Sequence, residues 1–185
     1  MERTTHLLTP ASLKALAHPV RVELLGLLRA HGPATASGLA ERLGESSGTT
    51  SYHLRQLAAA GFVADVPERG NGRERWWRAA QDSTRLETDQ MDDDPQTRAA
   101  EDVYLQAVTR ASDAKRDEWL AARRELPRSW RGIGTVNDYQ LSLGPAELQR
   151  LNDEVEALIE SYRRDPKRGD RQVVVQYNAF PRRES

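Results

Sequence analysis

The chain has 185 residues, enough for one ordinary domain with an appendage or for two small ones; with no cysteine it can form no disulfide framework, thiolate metal site or cysteine nucleophile. The opening MERTTHLLTPASLK lacks the apolar core of a signal peptide, and no run nears the roughly 20 apolar residues that span a bilayer, so a cytoplasmic protein with no membrane partner is expected. The net charge of −1 hides an uneven distribution: residues 1–80 carry ten basic against seven acidic residues, 81–102 two against eight, 103–131 seven against four, and 132–185 eight against nine.

Thr9 and Pro10 mark the start of a first helix that ends near Ala17, because His18 precedes a proline and is steered away from helical geometry. Pro19 opens a second helix with Val20, Leu24, Leu25, Leu27 and Leu28 as its apolar stripe. The turn HGPA leads to a short helix capped by Thr35, with Leu39, Ala40 and Leu43 inward and Gly44 as its stop. Ser46 or Ser47 caps the next helix, where Thr50, Leu54 and Leu57 recur at intervals of four and three up to Gly61. Two short helices around a glycine turn are what a helix-turn-helix requires. Residues 62–66 and 74–79 follow as strands, joined by PERGNGR with Asn71 and Gly72 at the tip, which makes a basic hairpin.

These stretches carry a resemblance over residues 10–80. ALAHPVRVELLGLL (15–28), SGLAERLGESSGTTSYHLRQLAAAGFV (37–63) and a hairpin ending in GRERWWRA resemble the ArsR-type winged helix-turn-helix repressors. The resemblance implies a homodimeric bacterial regulator whose helix 47–60 enters the major groove of double-stranded DNA while its wing (the hairpin) follows the backbone or minor groove. It implies no particular signal.

Residues 83–94 read as an acidic linker containing Asp89, Asp92, Asp93 and Asp94. Pro95 then begins a helix of about thirty residues, placed within 95–131, with Ala100, Val103, Tyr104, Ala107, Val108, Ala111 and Ala114 as a stripe of mostly small residues. In regulators of the resembling type this helix helps to form the dimer. Contacts are therefore expected at Leu13, Leu16, Val103, Tyr104, Ala107, Val108 and Ala111. Residues 132–185 resemble no known unit; their patterns predict a strand at 135–143, a helix at 145–162 and a strand at 173–177, a β-α-β unit. The predicted class is mainly α with small β.

On the helix 47–60, short hydroxyl side chains permit close approach to DNA, and its start offers amides to a phosphate. Ser46, Ser47, Thr49, Ser51, Tyr52, His53, Arg55 and Gln56 are the candidates there, with Arg55 suited to a guanine edge and Gln56 to adenine. His53 has an alternative role in helix packing. Arg69, Arg73 and Arg75 in the wing suit phosphates. Trp76 and Trp77 alternate, so one should enter the core. His6, His18, His31 and His53 lack metal-ligand spacing, and no metal or cofactor is expected. No catalytic motif appears, and RGNGRE lacks the strand-to-helix setting of a phosphate loop. Trp119, Trp130 and Tyr139 could line a pocket for an unidentified small-molecule effector. The alternatives are a winged module that binds protein, and a ligand-binding or catalytic activity confined to residues 130–185.

Overall fold

The computed structural model describes residues 4–69, 74–86 and 94–182. The wing tip with Asn71, Gly72 and Arg73, and the acidic residues Asp89, Asp92 and Asp93, lie outside the described residues. The chain divides into two compact units, Met1–Ala114 and Lys115–Ser185. No helix among the described residues is long and apolar enough to cross a membrane.

In the first unit the order is β1 (Thr5–Leu7), α1 (Pro10–Leu16), α2 (Pro19–His31), β2 (Ala34–Thr35), α3 (Ala36–Leu43), α4 (Ser47–Ala59), β3 (Val63–Asp65), β4 (Trp76–Ala79) and β5 (Ser83–Arg85). Helix α5 (Pro95–Ala122) begins here and runs on into the second unit, which adds α6 (Pro145–Ser161). The helix starts follow local chemistry. Thr9 accepts from the Ser12 amide at 3.2 Å, Thr35 from the Gly38 amide at 3.2 Å and Ser46 from the Thr49 amide at 3.0 Å, so each supplies a partner to an otherwise orphaned donor. Asp94 does the same for α5 through the amides of Gln96 and Thr97, and lies 4.0 Å from the Lys14 ammonium. Gly44 ends α3 in the left-handed conformation at φ 67°, which a side chain rarely adopts.

Strand β4 is central in a three-stranded antiparallel sheet of order β2-β4-β3, with Ala34 opposite Trp77 and Val63 opposite Ala79. The alternation at the tryptophans puts Trp77 in the core and leaves Trp76 half-buried. Leu13, Leu16, Leu24, Leu28, Leu39, Leu54, Leu57 and Phe62 are fully buried and make one core with Trp77. A second, two-stranded sheet was not predicted. β1 pairs in parallel with β5, Thr5 opposite Ser83, and the hydroxyls of that pair lie 2.7 Å apart. Arg29 braces it from α2, donating from Nε to the Gln81 carbonyl at 3.0 Å and from Nη2 to the Thr84 hydroxyl at 2.8 Å. Burial brings the Arg29 pKa down to about 10. The expected linker at 83–94 therefore begins as a strand.

The expected dimer contacts need correction. Leu13 and Leu16 are consumed inside the first unit, Tyr104 of α5 is buried in the same core with Val108 packed against it, and Ala107 is buried as well. The small-residue stripe seats α5 on its own chain. Ala111 is half-buried, and Val103 remains 41% exposed.

In the second unit α5 ends at Ala122, close to the expected thirty residues and inside the 95–131 segment; Pro127 bars any resumption of the helix there, and one tight turn at Arg128–Trp130 follows. Helix α6 lies where predicted, with the Glu147 carboxylate accepting from the Gly144 amide at 2.8 Å. The strands expected at 135–143 and 173–177 do not form among the described residues. Their alternating side chains are exposed, and a strand without a paired neighbour has no ladder to hold it. The loop after α6 is closed by Asp170, which takes Arg164 at 2.6 and 3.2 Å and the Lys167 amide at 2.6 Å.

Candidate nucleic-acid interface

Helix α4 has two faces. Thr50, Leu54 and Leu57 are buried, while Ser47, Thr49, Tyr52, Arg55 and Gln56 are exposed and Ser51 is half-buried. The apolar spacing docks the helix and thereby points the polar residues outward. Ser46, exposed at the cap, also lies 2.8 Å from the Thr49 hydroxyl. Arg55 Nε donates to the Ser51 carbonyl at 3.2 Å, which lays the side chain along the helix and leaves its terminal nitrogens for an outside acceptor.

Beside α4 the first turn of α3 and the base of the wing form a cleft of about 300 Å³, lined by Thr35, Ser37, Ser51, Arg55, Glu74, Arg75 and Trp77 among others. It brings together two guanidiniums and three hydroxyls with the Glu74 carboxylate at its edge, so its donors to an anionic oxygen are the arginines and hydroxyls while Glu74 opposes negative charge. Thr35 and Ser37 were not among the sequence candidates, since a cap residue and its neighbour look purely structural until the wing folds over them. Arg75 is held by Asp65 at 3.0 Å and lies 5.3 Å from the Trp77 ring centre. Arg69 lies 5.7 Å from that of Trp76. Both arginines are exposed, and Arg73 lies outside the described residues.

His53 does not belong to this face. It is 6% exposed, and its ring packs on His18 with centres 4.4 Å apart; this is the packing role, and burial withdraws the ring from the exposed face of α4. Neither Nδ1 atom has a hydrogen-bond partner among the described residues. Burial is the main cause that lowers both imidazole pKa values from the ordinary value near 6.5, and the Arg21 charge adds to it while Glu45 opposes it. Below about pH 6.5 the unfolded chain takes up protons that the folded pair resists, so stability is full above that value and is lost as pH falls toward the depressed folded values. Urea midpoints measured from about pH 8 to pH 5 are expected to drop on the acid side, and His53→Gln is expected to flatten that drop. An equal slope in the variant would place its cause elsewhere.

Residues 16–66 match a family model described as a helix-turn-helix domain. This segment is a helix-turn-helix domain. It runs from the last residue of α1 through α2, α3 and α4 to just past β3, less than a third of the chain. Among solved structures the chain is similar to the crystal structure of a possible transcriptional regulatory protein (fragment 1–100) from Mycobacterium bovis, at 25% identity, covering 57% of this chain and 89% of that chain with a TM-score of 0.35. No curated protein gives a significant match. With its sheet β2-β4-β3 the helix-turn-helix domain has the architecture of a winged helix.

The three residues expected to line an effector pocket are divided. Trp119 and Trp130 share one groove of the second unit, whereas Tyr139 does not line it and is 76% exposed. The alternation that drew attention to Tyr139 concerns a strand that does not form.

Proposed function

We propose that the chain is a sequence-specific, DNA-binding transcriptional regulator of the ArsR type, cytoplasmic and bacterial, acting as a homodimer on an inverted-repeat operator, with repression as its action. The observation that carries this reading is the division of α4: Thr50, Leu54 and Leu57 fix the helix from below while Ser47, Thr49, Tyr52, Arg55 and Gln56 stand clear of the core on one face. A helix so presented fits the major groove. Arg55 and Gln56 read base edges; Ser46, Ser47, Thr49 and Ser51 approach the backbone; Arg69 and Arg75 hold phosphates, with Arg75 shared between Asp65 and the DNA. The ArsR type rests on the sequence stretches quoted above, and we assign the chain no catalytic step and no cofactor.

The dimer contact in this reading keeps Val103, whose side chain is available on α5, with Ala111 at its margin. Two recognition helices would then enter successive major grooves about 34 Å apart. The test is selection from a random duplex pool by the purified full chain, followed by sequencing. Enrichment of an inverted repeat with half-sites about one helical turn apart, bound with affinity that falls steeply with salt, is the expected result. Failure to retain any duplex even at low salt would overturn the reading in favour of a protein-binding module.

A further inference from the structure

The second unit contains a concave site that the proposed DNA contacts do not use. Trp119 stands on the last turn of α5, Arg123 and Arg124 just beyond its end, and the chain returns through Leu126, Trp130, Arg131, Gly132 and Gly134 to close a groove of about 520 Å³. That is the size of a small-molecule site, for which about 300–1,000 Å³ is usual. The return is tight. Gly132 has φ 80°, and a Cβ built on Gly134 would lie 2.5 Å from Trp119 Cζ2, so the backbone runs directly over the indole.

The chemistry of the walls is one-sided. Among the described residues that line the groove, three are arginines and none is acidic, while two indoles and Leu126 supply apolar surface. Two guanidiniums are tethered: Arg131 Nε donates to the Leu126 carbonyl at 2.6 Å, and Arg123 donates from Nη1 to the Leu120 carbonyl. One such bond uses one of five donors, so the charge is held in place with donors to spare. Uncompensated cations around a concavity attract an anion, and guanidiniums pair with planar carboxylates in a two-pronged manner. The indoles favour a flat ring beside them.

We infer that this groove binds a small aromatic anion, through ring contact with Trp119 and Trp130 and charge-assisted hydrogen bonds from Arg123, Arg124 and Arg131. The inference does not depend on DNA binding, since the groove lies within Lys115–Ser185 and the proposed DNA contacts within Met1–Ala114.

The experiment is calorimetric titration of the full chain with 2-naphthoate, and with 2-naphthamide as its uncharged counterpart. Saturable binding of one naphthoate per chain is expected, with the amide weaker by about tenfold or more, as loss of a charged hydrogen-bond partner implies. The double variant Arg124→Gln, Arg131→Gln is expected to lose about tenfold for naphthoate and little for the amide. Gly134→Val should abolish binding of both. Far-UV circular dichroism and a urea midpoint like that of the unaltered chain show that the variants are folded. No saturation by about 10 mM naphthoate, equal affinity for the two compounds, or undiminished naphthoate binding in the double arginine variant would each overturn the proposal.

Discussion

Arg55→Ala is expected to weaken binding to the selected operator by about tenfold per half-site, and so by about a hundredfold for a homodimer, since contacts at well-separated positions add. The reasoning starts from position. Arg55 is exposed on α4, and its Nε is engaged by the Ser51 carbonyl at 3.2 Å, which leaves its two terminal nitrogens as the donors for an outside acceptor. Leu54 and Leu57 hold the helix without it, so the substitution removes a contact and leaves the fold alone. A lost two-pronged contact to a base edge costs about 1–3 kcal/mol and also erases the preference for that base. Arg75→Ala should behave differently. It weakens all duplexes alike and lowers the salt slope by about one, as loss of a phosphate contact does. Anisotropy titrations with the operator and with single-base variants at several salt concentrations separate the two. If Arg55→Ala keeps the original base preferences, Arg55 does not read a base.

Phe62→Ala is expected to cost about 3–5 kcal/mol, a large share of the roughly 5–15 kcal/mol that holds a domain folded. Phe62 is fully buried between the end of α4 and the start of the wing. Its amide donates to the Leu57 carbonyl at 2.9 Å, and its carbonyl accepts from the Ala80 amide at 2.9 Å. The ring of His6 packs 4.5 Å from its own. The residue thus joins α4, the wing and β1, so its loss should loosen the wing as well as lower the urea midpoint. A change below about 1 kcal/mol would mean that the core collapses to fill the space, contrary to the packing described.

The helix-turn-helix part was legible because several local signals agree there. Pro10 and Pro19 at helix starts, Thr9, Thr35 and Ser46 as caps, Gly44 as a stop, and leucines at helical spacing all point to the same elements. The two strands of the wing were legible from alternation. What escaped depends on distant partners. β1 and β5 are three residues each, too short to show a period, and they exist because Arg29 and each other's backbones hold them. His53 has a polar side chain on a helix whose other polar residues are mostly exposed, and only His18, which approaches it from the start of α2, reveals that it points inward. The spacing of Tyr104 and Ala107 marks a packing face, but a sequence does not say whether the surface it covers belongs to the same molecule, and here both are buried within the chain instead of at the expected dimer contact. The alternation at 135–143 and 173–177 is a genuine strand pattern; without a neighbouring ladder among the described residues it stays irregular.

The union of β1 with β5 bears on how the molecule is made. Thr5 and Ser83 are 78 positions apart, so at synthesis rates of about 5–20 residues per second the first strand emerges roughly 4–15 s before its mate has been polymerised. Pairing of the two strands is therefore a late event with a long loop to gather, whereas the helices between them make their backbone bonds locally.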